Sequence, residues 1–297
     1  MQIDGRTRLF LLLGNPVAHS LSPAMHNAGF RELGINAVYL AALVQPEKVG
    51  ESVAALRALN AGGANVTSPC KEEVTAYLDE VSAAGLAAEA VNTIVNRDGL
   101  LFGDNTDGSG VLRALAELEE SFPVDGGKVA IVGLGGAARA AAFSLAAAGA
   151  GSLTLVNRSA DKCRYWADKL KKSFPHLAVE KASLKQAELA QVIDNNDLVI
   201  YSLPLDIEPF CRALQSISTI APEKVLLDFR YHPTSTAIME AFNAAGGYST
   251  NGLTMLYHQA IEAFELFTGD RAPAGAMRRA MESTASQKTR EDDYGNL

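Results

Sequence analysis

Short apolar runs rich in β-branched residues alternate along the chain with longer segments in which apolar residues recur every three or four positions. The short runs predict strands and the longer segments predict helices, and their alternation is typical of an α/β fold with largely parallel sheets. The predicted strands cover residues 9–13, 37–43, 64–66, 93–95, 128–132, 152–156, 198–201 and 225–229. The predicted helices cover residues 24–33, 46–59, 110–118, 137–148, 160–172 and 254–267.

Composition narrows the class of protein. The chain has 297 residues, 48% of them hydrophobic and 20% charged, which predicts about two domains with a sizeable core. The net charge of −8 argues against a general nucleic-acid binder or a basic membrane-surface protein. The three cysteines include no Cys-x-x-Cys pair, which fits a reducing compartment. Since no apolar run resembles a signal core or reaches membrane-spanning length, a cytoplasmic protein is expected.

The most specific local motif is a glycine-rich turn between a predicted strand and a predicted helix. Gly133 permits the tight turn, Gly135 allows the backbone to approach a pyrophosphate, and Ala138 takes the third small-residue position. Gly136 and Ala137 then open a helix whose positive N-terminal end favours a phosphate anion. The motif predicts a dinucleotide site.

The residues after the next predicted strand favour NADP over NAD. An NAD site usually carries a carboxylate here, to accept from the ribose 2′-hydroxyl. This chain has Asn157, Arg158 and Ser159 instead, with Lys162 close behind, and a guanidinium pairs well with a 2′-phosphate. Asp161 is a weak argument for the NAD alternative.

Polar clusters recur in the first hundred or so residues next to predicted strands. In open α/β sheets ligands bind beyond the carboxyl ends of the strands, so hydroxyls, amides, a lysine and a carboxylate meeting there would suit a small hydroxylated anion. One of the clusters also has a local explanation, because Ser22-Pro23 fits the N-cap and first position of a helix. The clusters are Gly14-Asn-Pro-Val-Ala-His-Ser-Leu-Ser-Pro23, Asn65-Val-Thr-Ser-Pro-Cys-Lys71, Ala90-Val-Asn-Thr93 and Gly103-Asp-Asn-Thr-Asp-Gly108.

With these motifs in order, the sequence resembles the shikimate dehydrogenase family over essentially its whole length. Asn-Arg-Ser after the glycine motif, Tyr231-His-Pro-x-x-Thr236 and Gly252-Leu-Thr-Met255-Leu-x-x-Gln259 extend the resemblance. It implies reversible, NADP-dependent interconversion of 3-dehydroshikimate and shikimate in aromatic amino acid (chorismate) biosynthesis.

The resemblance also implies roles for single residues. Lys71 and Asp107 match the catalytic pair, and either could transfer the proton that accompanies hydride transfer. The cofactor side includes Gly252 and Met255, beside the nicotinamide, together with the glycine-motif residues and Arg158. The substrate-binding set is Ser20 and Ser22 for the carboxylate with Tyr231 assisting, and Thr67, Asn92 and Gln259 for the ring hydroxyls.

Three positions depart from the family's usual pattern. Ser68 replaces an apolar residue, Glu89 replaces a common glycine, and Tyr201-Ser-Leu-Pro-Leu205 replaces an Asn-Ala-Thr/Ser segment that contacts the cofactor. These departures leave a quinate or aminoshikimate dehydrogenase as an alternative function. A non-catalytic NADP-binding sensor is a further alternative, against which the Lys71–Asp107 pair argues. A methylenetetrahydrofolate-dehydrogenase-like enzyme fits less well, since the serine pair suits a small carboxylate.

The expected architecture has two α/β domains. Residues 1–107 form a substrate-binding catalytic domain with a mainly parallel sheet, and residues 108–251 an inserted Rossmann-type NADP domain. Residues 252–297 are expected to form C-terminal helices that return to the substrate domain. The expected partner is a small hydroxy acid rather than nucleic acid or a membrane, no metal site is expected, and the protein is predicted to be a monomer or homodimer.

Overall fold

The computed structural model describes residues 3–118 and 122–295, with side chains described up to residue 287. The chain divides into two compact units. The first unit comprises Met1–Asp107 and Tyr257–Leu297, and the second comprises Gly108–Leu256. The predicted α/β class is confirmed, whereas the assignment of one domain to substrate and the other to NADP stays a prediction.

A six-stranded sheet forms the centre of the first unit, in the order β2-β1-β3-β5-β6-β4. The pairs β1–β2, β1–β3 and β4–β6 are parallel, but β3–β5 and β5–β6 are antiparallel, so this sheet is mixed. The turn between β5 and β6 explains the reversal. Asp98 and Gly99 have φ values of 53° and 91°, the positive values that a two-residue hairpin turn needs. The strands are β1 (Arg8–Gly14), β2 (Ala37–Leu43), β3 (Gly63–Val66), β4 (Glu80–Val81), β5 (Thr93–Arg97) and β6 (Leu100–Asp104).

Helices cover this sheet and bury aromatic side chains against it. The ring of Phe10 lies 5.2 Å from that of Phe30 and 5.0 Å from that of Phe267, so residues far apart in sequence share one core. The chain leaves the first unit at the start of α4 and returns to it within α10. The helices of this unit are α1 (Ser22–Glu32), α2 (Val49–Ala58), α3 (Ala83–Ala88), most of α10 (Leu253–Thr268) and α11 (Ala274–Gly295), with short 3-10 segments at Pro46–Lys48 and Glu73–Tyr77. All but the first residue of α4 (Asp107–Ala116) belongs to the second unit.

The second unit contains a wholly parallel sheet in the order β12-β11-β10-β7-β8-β9. The strand order reverses between β7 and β10, which is the doubly wound arrangement that places a ligand crevice at this switch point. The predicted Rossmann-type fold is confirmed. The strands are β7 (Lys128–Val132), β8 (Ser152–Val156), β9 (Ala178–Ala182), β10 (Leu198–Tyr201), β11 (Val225–Asp228) and β12 (Tyr248–Asn251). The helices are α5 (Gly136–Ala147), α6 (Ala160–Ser173), α7 (Gln186–Asn195), α8 (Glu208–Ser216) and α9 (Ala237–Ala244).

Candidate active site

The topology of the first sheet places the polar motifs at the same end of its central strands, which is called the site edge below. β3 ends where Thr67 and Lys71 follow it. Because β5 runs antiparallel to β3, the start of β5, with Asn92 just before it, lies at the site edge too. β6 reverses again and ends at Asp104, just ahead of Asp107. The antiparallel hairpin, which the sequence analysis did not predict, is therefore what brings Asn92 and Asp107 to the end of β3.

Lys71 and Asp107 form a direct ion pair at the site edge. Lys71 Nζ lies 2.6 Å from Asp107 Oδ2, and the side chains are 17% and 6% exposed. Asp107 is the first residue of α4, where the helix dipole stabilises a carboxylate, and its amide donates to Asn105 Oδ1 at 3.0 Å. The pair is thus largely shielded from water, and Lys71 is more accessible to solvent than Asp107.

Asn92 donates a hydrogen bond to the other oxygen of the Asp107 carboxylate. Its Nδ2 donates to Asp107 Oδ1 at 2.9 Å and to Thr106 Oγ1 at 3.0 Å, and lies 3.5 Å from Gln259 Oε1. Gln259 comes from α10 and is 9% exposed, and Thr106 Oγ1 lies 3.2 Å from its carbonyl oxygen. Four predicted site residues, Lys71, Asn92, Asp107 and Gln259, are therefore joined by direct contacts.

The predicted carboxylate-binding serines lie at the start of α1. The interpretation of Ser22 as an N-cap is wrong, because Ser22 is the first helical residue and no side chain caps this helix. Ser20 Oγ instead accepts from the Ser22 amide at 3.2 Å. Gly14, which precedes this segment, packs closely against Thr67, since a Cβ on Gly14 would lie 2.3 Å from Thr67 Cγ2.

The glycine turn of the second unit has the geometry of a phosphate cradle. Gly133 adopts a positive φ of 96°, and a Cβ there would lie 2.5 Å from Ser202 Oγ, so glycine is required. A Cβ on Gly135 would point into open space, with nothing within 4 Å. The first N–H groups of α5, beginning at Gly136 and Ala137, have no partners within the helix and face this space. A pyrophosphate fits here.

The residues after β8 combine local capping with an exposed cation. Ser159 caps α6 by accepting from the Lys162 amide at 3.2 Å, and Asn157 Oδ1 accepts from the Ser159 amide at 3.0 Å. Arg158 is exposed. Asp161, the residue that favoured NAD, lies 3.4 Å from Arg164 on the same helix.

The remaining predicted cofactor residues lie where the chain leaves β12. Gly252 lies close to the residues that follow β11, since a Cβ on it would lie 2.2 Å from the Phe229 carbonyl oxygen. Its amide donates to the Arg230 carbonyl at 2.9 Å. Met255 is 7% exposed in the first turn of α10, and Tyr231 is half-buried just beyond β11.

The unusual segment after β10 is braced by ionic contacts. Tyr201 is fully buried, and its hydroxyl donates to the Leu205 carbonyl at 2.7 Å and accepts from the Ile207 amide at 3.2 Å. The guanidinium of Arg230 lies over the Tyr201 ring at 5.2 Å and pairs with Asp206 at 2.6 Å and with fully buried Asp228. The segment therefore keeps a defined conformation without the family's usual residues.

Metal binding and membrane insertion are two further possibilities for the described residues, 3–118 and 122–295. Within these ranges no cluster of three or more His, Cys, Asp or Glu side chains is arranged to hold a metal ion. The helices in the same ranges are all too short or too polar to cross a bilayer.

Comparison with known families gives matches along the chain. The model for the shikimate dehydrogenase substrate binding domain matches residues 12–94. The model for shikimate / quinate 5-dehydrogenase matches residues 115–209, and that for the shikimate 5′-dehydrogenase C-terminal domain matches residues 252–282.

Individual proteins match over nearly the full chain. A shikimate dehydrogenase (NADP(+)) of Symbiobacterium thermophilum is 40% identical, covering 93% of this chain and 94% of its own. The crystal structure of shikimate 5-dehydrogenase from Listeria monocytogenes, in complex with shikimate and NAD, superposes with a TM-score of 0.82 at 32% identity, covering 94% and 98% of the two chains. That from Thermus thermophilus, in complex with NADP(H) and shikimate, has a TM-score of 0.77 at 30% identity, covering 94% and 100%.

A doubly wound sheet with a glycine turn suited to a pyrophosphate, together with a largely buried lysine–carboxylate pair, is typical of dinucleotide-dependent oxidoreductases. Within that class the matches are consistent in both sequence and structure. The chain belongs to the shikimate dehydrogenase family.

Proposed function

We propose that the protein catalyses the reversible, NADP-dependent interconversion of 3-dehydroshikimate and shikimate. The observation that carries this proposal is the Lys71–Asp107 pair at 2.6 Å, whose carboxylate is held from the other side by Asn92 at 2.9 Å. The relatives named above act on or bind this substrate.

In this proposal the pair handles the proton. NADPH, when bound, supplies the hydride for the ring ketone, and negative charge then develops on the ketone oxygen. Both oxygens of Asp107 are engaged, by Lys71 and Asn92, whereas the Lys71 ammonium carries three N–H groups and is the more exposed partner. Lys71 therefore delivers the proton to the oxygen in reduction and accepts it in oxidation, while Asp107 orients the ammonium and balances its charge.

Residues around the pair would bind the rest of the substrate. Ser20 and Ser22 would supply hydroxyls for the carboxylate, and the motif match gives Tyr231 an assisting role. Asn92 and Gln259, which already lie within 3.5 Å of each other, would bind ring hydroxyls together with Thr67. These roles come from the motif match, and those of Thr67 and Asn92 are also supported by their position where β3 ends and β5 begins.

The second unit would hold NADP. The open space at Gly135 and the N-terminus of α5 suit the pyrophosphate, and exposed Arg158 suits the 2′-phosphate. Asn157, Ser159 and Lys162 shape the turn that carries Arg158, and Gly252 and Met255 would lie beside the nicotinamide. Residues 108–251 are accordingly proposed as the NADP domain, and residues 1–107 with 252–297 as the substrate domain.

Steady-state kinetics over a matrix of substrates and cofactors tests this proposal. Shikimate, quinate and an amino analogue of shikimate are each assayed with NADP and with NAD. We expect the highest kcat/KM for shikimate with NADP. A preference for quinate, the amino analogue or NAD would reassign the specificity, and tight NADP binding without turnover of any substrate would indicate a sensor.

We also propose that the protein acts in the cytoplasm as a monomer or homodimer. Its three free cysteines, Cys70, Cys163 and Cys211, support a reducing compartment.

A further inference from the structure

A chain of buried hydrogen bonds runs through the first unit to the catalytic carboxylate. Its members are at most 5% exposed, and they lie on β2, β3, the start of β5 and the start of α4. The bonds are Tyr39 Oη to Asn65 Oδ1 at 2.8 Å, Asn65 Nδ2 to Thr93 Oγ1 at 3.0 Å, Thr93 Oγ1 to Asn92 Oδ1 at 2.9 Å, and Asn92 Nδ2 to Asp107 Oδ1 at 2.9 Å.

Each hydrogen bond in this series is donated in the direction from Tyr39 towards Asp107. Burial raises the pKa of the Tyr39 phenol well above its usual value, so the phenol stays protonated and donates to Asn65. The oxygen of Asn65 is thus directed to Tyr39 and its NH₂ group to Thr93. The Thr93 hydroxyl, which accepts from Asn65, has its single hydrogen left for the Asn92 oxygen.

This order fixes which end of the Asn92 amide faces the catalytic pair. With its oxygen held by Thr93 and by the Thr106 amide at 2.9 Å, Asn92 presents its NH₂ group to Asp107. In the reversed orientation a carbonyl oxygen would face a carboxylate oxygen across about the same short distance, which is repulsive in a buried place.

Backbone pairing between β3 and β5 holds the members of this hydrogen-bond series opposite each other. Asn65 lies directly opposite Thr93 in the β3–β5 ladder, and its Nδ2 also donates to the Asn92 carbonyl at 3.1 Å. The hydrogen-bond order is therefore set by the fold before any substrate arrives.

We propose that Tyr39 and Thr93 are positioning residues, which orient the Asn92 amide so that it donates to Asp107 and leaves the other carboxylate oxygen for Lys71. The inference rests on the function proposed above for Lys71, Asn92 and Asp107. Neither Tyr39 nor Thr93 needs to touch the substrate for this role.

The test replaces the Thr93 hydroxyl by a methyl group of the same shape, in the full-length protein. We expect Thr93→Val to lower kcat/KM for shikimate about tenfold, the effect of one neutral hydrogen bond at the upper end of its usual range, with an unchanged Kd for NADP. Thr93→Ser keeps the donor and should restore most of the loss. Tyr39→Phe, two bonds further away, should lower kcat/KM by a smaller factor.

Thr154→Val is the matched control, because Thr154 is also a buried strand threonine bonded to an asparagine, Asn196, but lies in the second unit. It should leave kcat/KM unchanged. Side-chain amide resonances of Asn92 in the nuclear magnetic resonance spectrum report its orientation directly, and they should shift and lose exchange protection in Thr93→Val but not in Thr93→Ser.

Three outcomes would overturn the inference. They are a folded Thr93→Val variant with parental kcat/KM, an equal loss in Thr93→Val and Thr93→Ser, or unchanged Asn92 resonances in both the Thr93→Val and Tyr39→Phe variants. If the wild-type protein turned over no shikimate, the proposed function would fail, but the Asn92 resonances would still test the orientation.

Discussion

A buried histidine in the first unit should make the protein sensitive to acid. His26 is fully buried on α1 and stacks on the Tyr39 ring at 4.4 Å, with Phe264 and Phe267 at 6.0 and 5.7 Å. Within the described residues neither ring nitrogen has a hydrogen-bond partner. Burial lowers the pKa of His26 from 6.5 to about 3, because the charged ring would lose its hydration without compensation.

The direction of the effect follows from proton linkage. Between pH 6.5 and about 3 the unfolded chain binds a proton at His26 that the folded protein does not. Stability is therefore complete above the unfolded pKa and falls with the pH below it. From about pH 8 to about pH 5 the loss from this one group is about 2 kcal/mol in the free energy of unfolding, since each pH unit below the unfolded pKa contributes up to about 1.4 kcal/mol.

His26→Phe should abolish this contribution. Urea unfolding followed by far-UV circular dichroism, at about pH 8 and about pH 5, gives the free energy of unfolding of both proteins. Any packing difference between the two rings is the same at both pH values and cancels in the comparison, as do the other titrating groups. The single Trp166 reports the second unit separately by its fluorescence.

Replacement of the exposed His176 by Phe is the control and should keep the wild-type pH dependence. If His26→Phe lost as much stability between the two pH values as the wild-type protein does, the reasoning from burial would be refuted.

Three further predictions concern the site and its loops. Lys71→Ala should lower kcat by roughly 10²–10⁴-fold with little change in the Kd for NADP, and near-normal turnover would remove Lys71 from the chemistry. Arg158→Ala should raise the Kd for NADP much more than that for NAD, and titration with both cofactors checks this, since equal weakening would mean that Arg158 does not contact the 2′-phosphate. Glu89 has a φ of 47°, so Glu89→Gly should be about 1 kcal/mol more stable to urea than Glu89→Ala, which keeps the strained Cβ; equal stabilities would contradict a backbone origin.

Buried parallel strands were well predicted because their apolar runs are nearly continuous. The strand predicted at 128–132 is β7 to the residue, and that at 198–201 is β10. Edge strands β9 and β12 were missed, since most of their residues are exposed or half-exposed and only pairing with a neighbour identifies them. The α8 helix was missed although Phe210, Ala213 and Leu214 have helical spacing and are buried.

The hairpin β5–β6 was missed although its signal was present. Asp98-Gly99 is a strong two-residue turn sequence, and recognising it would have predicted the antiparallel pair. Without the hairpin, the contact between Asn92 and Asp107 could not be predicted, because the strand reversal is what puts these two residues side by side. Motif matching singled out Asn92 and Asp107, but Thr93 and Asn65 were not singled out, since their importance depends on the cross-strand register. Tyr39 carries no local signal at all.

Two departures from the family pattern have different physical meanings. Glu89 occupies a left-handed position at the end of α3, a backbone conformation that favours glycine, and the turn forms with Glu89 in it.

Tyr201, by contrast, belongs to a set of linked side-chain contacts. Its hydroxyl bonds the backbone of Leu205 and Ile207, the guanidinium of Arg230 lies over its ring, and Arg230 in turn neutralises Asp228, which is fully buried. Removing one partner of a buried ion pair leaves an uncompensated charge that costs about 3–5 kcal/mol. Arg230 is therefore expected to be retained wherever Asp228 is, and with it the contact that covers the Tyr201 ring.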